Sequence, residues 1–108
     1  MTSAILGFTN PDGTIKSIII NADGYSEYTG KILSEHYNTP ELASQLIDGG
    51  DLPSLKPTLE TCQYYKSRGE DWENIKPVVY RNFGWFLNNK ENVDFLYLYQ
   101  DGKWHYKN

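Results

Sequence analysis

Nucleophilic or acid–base chemistry in this chain would have to draw on Cys62, His36 or His105, because these are its only cysteine and its only histidines. A thiol attacks as the thiolate and needs a base such as imidazole within hydrogen-bond reach. No spacing in the sequence brings either histidine beside Cys62, so the thiol reads as a small buried hydrophobe. His36 falls beside apolar residues at helical spacing and reads as a satisfied, half-buried ring. His105 lies between Trp104 and Tyr106, where strand alternation sends it to the opposite face from both rings and leaves it exposed. Neither histidine has a second ligand-type residue at metal-binding spacing, and a cysteine-based zinc site needs more than one thiol. The glycines fit no phosphate-binding fingerprint, and Asp12, Asp23, Asp51 and Asp101 sit in turns, where aspartate bonds to its own backbone. No catalytic residue, metal or cofactor is therefore expected.

One segment mixes rings with charges. Between Tyr64 and Trp72 the chain carries Lys66, Arg68, Glu70 and Asp71 around Gly69. Arg68 has the geometry to clamp a phosphate or carboxylate, and Tyr65 and Trp72 have faces on which a base could stack. The simpler alternative is that Arg68 pairs with Glu70, Asp71 or Glu73 and only shapes the loop.

The elements that would position these residues follow from periodicity. Ser3–Phe8 and Thr14–Ile20 flank Asn10-Pro11-Asp12-Gly13, which predicts a β-hairpin. Ile32, Leu33, His36 and Tyr37 predict a helix from Thr29. Thr39-Pro40-Glu41 starts a second, with an N-cap oxygen, a proline at the first helical position and an acid at the positive end of the dipole. Gly49-Gly50 ends it. Glu60–Lys66 reads as a strand. Val79, Phe83, Phe86 and Leu87 predict a third helix, weakened at Gly84 by about 1 kcal/mol relative to alanine. Val93–Gln100, Asp101-Gly102 and Lys103–Lys107 read as a closing hairpin. The expected architecture is one α+β domain over residues 1–108, an antiparallel sheet of about five strands with two or three helices packed on one face.

Composition narrows the function classes. The chain has 108 residues, 39% hydrophobic and 15% aromatic, with nine tyrosines and three tryptophans. No apolar stretch approaches the roughly 20 residues that span a bilayer, and residues 1–8 lack the basic and apolar regions of a secretory leader. With no disulfide possible within the chain, a cytosolic location is expected. The net charge is −4, and the acids concentrate in the first half: residues 1–55 hold seven acids and two bases. Direct nucleic-acid binding is disfavoured by that sign, whereas docking on a basic protein surface is favoured.

In order along the chain stand Asp23-Gly24-Tyr25, Gly30, Leu33, Tyr37, Gly50-Asp51-Leu52 and Ser54-Leu55, then Tyr65, Arg68-Gly69-Glu70-Asp71, and finally Tyr97-Leu98-Tyr99 with Asp101-Gly102-Lys103-Trp104. This order resembles small proteins of phages, prophages and other mobile elements that carry a Trp-Asp-Gly-Tyr-Pro turn and a Gly-Asp-(Leu or Ile)-Ser-Ser-Leu segment. Ala22, Ser26 and Pro53 depart from that pattern. The resemblance implies an accessory protein acting in the cytosol of an infected host, a setting that includes inhibitors of host defence such as anti-CRISPR proteins.

The leading expectation is a non-catalytic inhibitor of a host protein, such as a nucleic-acid-handling defence enzyme. Asp23, Glu27, Glu35 and Asp51 would be its acidic contacts, and Tyr25 and Tyr28 its aromatic anchors. A second possibility is sequestration of a nucleotide signal by Tyr65, Arg68 and Trp72, within an oligomer that supplies the missing concavity. A small hydrolase using His36 or Cys62, and a structural protein of a virion, are further alternatives.

Overall fold

Apolar runs of β-branched, aliphatic and aromatic residues near both ends of the chain form the sheet, and most of their side chains are buried on one face or the other. The computed structural model describes residues 2–107. Strand β1 (Ala4–Thr9) pairs antiparallel with β2 (Ile15–Ile20), Ala4 opposite Ile20 and Thr9 opposite Ile15. The turn between them is built by its own side chains. Asp12 Oδ1 accepts from Thr14 N–H at 3.0 Å and from the Thr14 hydroxyl at 2.6 Å, which holds its carboxyl below the usual range.

After β2, a wide helical turn over Ser26–Gly30 runs directly into α1 (Lys31–His36), and α2 (Pro40–Asp48) follows. Thr39 Oγ1 caps α2 by accepting from Leu42 N–H at 3.2 Å, as its sequence predicts. Both helices pack on one face of the sheet, where Leu33, Tyr37, Leu46 and Ile47 meet Leu6, Ile18, Ile20 and Tyr97 in the main core. Lys16 of β2 ties α2 down: its ammonium lies 2.7 Å from Asp48 and 2.6 Å from the Ser44 hydroxyl.

The middle of the chain departs from its expected elements. Residues 60–66 form no strand. Cys62 N–H bonds back to Thr58 O, and a 3₁₀ turn spans Tyr65–Arg68. The aromatic residues there serve packing instead of a ladder: Tyr64 donates its hydroxyl to Leu46 O at 2.8 Å, with its ring against Gly49. A short helix that periodicity does not predict, α3 (Trp72–Ile75), is capped by Asp71. Val79 belongs to a strand, β3 (Val78–Tyr80), which pairs with residues 15–17 of β2. The third helix, α4 (Phe83–Leu87), begins only after Asn82, whose Oδ1 accepts from Trp85 N–H at 3.0 Å.

The closing hairpin joins β4 (Phe95–Gln100) to β5 (Lys103–Lys107) through Asp101 and Gly102, both at positive φ. The sheet thus has five strands in the order β3-β2-β1-β4-β5, three pairs antiparallel and the β1–β4 pair parallel. The α+β class and strand number agree with the sequence. The parallel central pair, and a helix on the second face, are added by the structure. On that second face Phe86 of α4 is fully buried with Ile5, Ile15, Leu96 and Leu98. It packs against Gly7, where a Cβ would lie 2.7 Å from the ring.

Candidate functional site

The residues with the most reactive chemistry are held apart from one another. Cys62 is buried, its sulfur 3.5 Å from the Tyr37 hydroxyl and 3.6 Å from Lys56 O. Tyr37 donates to the same carbonyl at 2.7 Å, and burial together with Cys62 pushes its phenol up. The thiol therefore contacts neutral oxygens and no imidazole. His36 is exposed at the last turn of α1, not half-buried: Ile32, Leu33 and Tyr37 take the inward positions, and position 36 falls outside their arc. His105 is exposed, as expected, with a ring nitrogen 3.1 Å from Gln100 O. Among the described residues no three His, Cys, Asp or Glu side chains converge on a metal position.

The Tyr65, Arg68 and Trp72 side chains are engaged within the chain. The Arg68 guanidinium lies 5.6 Å from the centre of the Tyr65 ring, and Lys66 Nζ lies 4.9 Å from that of Trp72. The Tyr65 hydroxyl donates to Asn21 Oδ1 at 2.8 Å. Arg68 forms no ion pair with Glu70, Asp71 or Glu73; Glu73 pairs with Lys76 at 2.7 Å. The rings that were candidates to stack on a base each have a cation of this chain against them.

The acidic candidates divide into two groups. Asp23, Glu27 and Glu35 are exposed on the continuous segment 23–36. Asp23 sits at φ 60°, with its carbonyl accepting from the Thr29 hydroxyl at 2.6 Å, so the turn is locked from within. Tyr25 is 38% exposed, its ring centroid 6.3 Å from that of Tyr28, and Tyr28 is half-buried and anchored by its hydroxyl to Leu55 O at 2.8 Å. Lys31 stands four residues from both Glu27 and Glu35 yet pairs with neither. Among the described residues only Lys16–Asp48 and Glu73–Lys76 form ion pairs.

Asp51 is different. It is half-buried where β3 has run out beside β2, and its Oδ1 accepts from Ile19 N–H at 2.8 Å. Its backbone bonds to Ile75 O and Tyr65 N–H, and the neighbouring Leu52 bridges to Ile20. Burial raises its carboxyl above the ordinary range, against the opposing effect of the Ile19 bond. Its carboxylate thus satisfies a strand edge inside the fold.

Two open grooves flank β5, on opposite faces of the sheet, and periodicity alone does not locate them. One, of about 490 Å³, is lined by Phe83, Leu96, Leu98, His105 and Lys107. The other, of about 450 Å³, lies between α1 and the strand and is lined by Lys31, Ser34, Tyr97, Trp104 and Tyr106. Phe83, Trp85 and Tyr106 are each about half exposed, unusual for rings of that size. The signal present in the sequence was the last strand itself, with large rings at alternate positions and lysines at both ends.

No family model matches the chain, and neither the curated proteins nor the solved structures compared with it give a match. Among the described residues no helix is long and apolar enough to cross a membrane.

Proposed function

We propose that this protein is a non-catalytic binding domain that docks on a basic surface of a partner protein through residues 23–36. The observation that carries this is the set of exposed carboxylates Asp23, Glu27 and Glu35, without an ion pair among the described residues, on the same segment as the partly exposed ring of Tyr25. Such charges keep their full field for a partner, steer its approach and become stronger as water leaves the interface. Tyr25 offers a ring that can be buried at little entropic cost, and Tyr28 braces it from behind. The buried Cys62, facing only neutral oxygens, supports a non-catalytic role.

The setting follows from the resemblance to phage and mobile-element proteins. There the partner would be a host enzyme of nucleic-acid defence, whose basic channel this acidic segment would occupy in place of nucleic acid.

The test is a matched capture experiment. Tagged wild-type protein and the triple variant Asp23→Lys, Glu27→Lys, Glu35→Lys are incubated with bacterial host lysate at low and high salt. The expected result is a partner retained by the wild type at low salt and lost both at high salt and by the folded triple variant. Equal retention by the triple variant would refute the assignment of this surface.

A further inference from the structure

Strand β5 ends the sheet, and its outer edge meets no other strand among the described residues. The turn that precedes it decides which backbone groups face outward. Asp101 and Gly102, at φ 55° and 82°, form a two-residue hairpin loop closing on the Gln100–Lys103 pair. In such a loop that pair exchanges both backbone hydrogen bonds, and the bonded pairs then alternate along the ladder. Lys103, His105 and Lys107 therefore spend their backbone groups on β4, whereas Trp104 and Tyr106 direct theirs to the open edge.

The side chains beside this edge are arranged for a sixth strand. The two grooves run along β5 on opposite faces, so successive side chains of an added strand would enter them alternately. Residues opposite Trp104 and Tyr106 would meet the aromatic groove containing Tyr97. Residues opposite Lys103, His105 and Lys107 would meet the face that holds Phe83, Leu96 and Leu98.

Charge selects the occupant. A second copy pairing antiparallel along the whole of β5 would centre on His105 and set Lys103 against Lys107 twice, a like-charge opposition that destabilises a cross-strand pair. A foreign strand with carboxylates at those two positions would gain from the same lysines. We propose that β5 is a strand-addition site for an extended acidic segment of a partner protein. That segment pairs antiparallel, with carboxylates four residues apart opposite Lys103 and Lys107 and apolar residues opposite Trp104 and Tyr106. Main-chain bonds to Trp104 and Tyr106 would supply affinity, and the two grooves and two lysines would supply specificity. Lys31 and Ser34 of segment 23–36 border one of the two grooves, but the backbone groups and the two lysines that define this site belong to β5.

The probe is an acetylated, amidated peptide with the core Glu-Val-Thr-Val-Glu, titrated into the isotope-labelled full chain and followed by amide NMR shifts. Saturable shifts centred on Trp104 and Tyr106 are expected. Tyr106→Pro removes an outward N–H without taking a bond from the β4 ladder, and should abolish them. The double variant Lys103→Glu, Lys107→Glu keeps the backbone intact, which covers the possibility that the proline variant misfolds. It should weaken the peptide roughly tenfold and accept a Lys-Val-Thr-Val-Lys core instead. No shift at β5, shifts indifferent to the charge exchange, or concentration-dependent self-pairing through β5 without peptide would each overturn the proposal. The triple lysine variant at positions 23, 27 and 35 leaves β5 intact and should bind the peptide at least as tightly as the wild type, so loss of the partner in the capture experiment and loss of the peptide are told apart.

Discussion

Asp51 offers a test in which the sign of a pH effect is set by the structure. Two influences oppose each other at this carboxyl. Partial burial penalises its charge, the hydrogen bond from Ile19 N–H at 2.8 Å favours it, and burial wins, so the folded-state value is raised. A carboxyl raised in the folded state favours folding most below its unfolded value, and that contribution is lost as pH rises through the folded value. At neutral pH the charged Asp51 is therefore held at some expense. Asp51→Asn keeps an oxygen for Ile19 N–H and removes the charge. Asp51→Ala leaves that N–H without its partner, which costs about 1–3 kcal/mol. For a domain near 100 residues this corresponds to a fall in Tm of roughly 4–8 °C for each kcal/mol. Urea unfolding of the three proteins, followed by tryptophan fluorescence between neutral pH and the ordinary aspartate range, separates the effects. At neutral pH the alanine variant should be least stable and the asparagine variant at least equal to the wild type. On acidification the wild type should gain on the asparagine variant as Asp51 takes its proton. If the wild type instead loses ground to the asparagine variant as pH falls, the hydrogen bond outweighs burial and the reasoning is wrong.

Two further predictions concern the core. Gly7→Ala would place a Cβ 2.7 Å from the Phe86 ring and 2.9 Å from Ile15 Cγ2, so it should destabilise by about 1–3 kcal/mol in a denaturant melt. An unchanged midpoint would mean that α4 is free to lift from the sheet. Cys62 should react with a water-soluble disulfide reagent only on the timescale of unfolding, because its thiol is buried against Tyr37 and Lys56 O; rapid stoichiometric labelling of the native protein would contradict that placement.

Much of the local structure was legible in the residues because the signals were local. The Asn10–Gly13 and Asp101–Gly102 turns form from their own side chains and from permissive φ, and Thr39-Pro40 starts α2 through a cap three residues away. Residues 60–66 and Val79 depart from their expected strand and helix for the opposite reason. Cys62 and Tyr64 have the composition of a strand, but Gly49 leaves a seat for the Tyr64 ring, and that seat forms only when α2 is in place. Val79 and Phe83 share a helical spacing, yet Lys16 pairs with the first and the Asn82 cap separates it from the second.

The candidate sites divide along the same line. Composition by itself determined that this chain has one thiol, two histidines and an acidic first half, and it placed Asp23, Glu27 and Glu35 within one segment. Only the tertiary structure separated Asp51 from that set, by setting its carboxylate against a strand end thirty-two residues earlier in the chain. The same holds for β5. Alternation predicts the strand, but not that β4 would lie parallel to β1 and leave β5 as the outer edge between two grooves. The physical reason is range: turns and caps are decided by atoms a few residues apart, whereas strand neighbours and sheet edges are decided by which distant apolar faces bury one another.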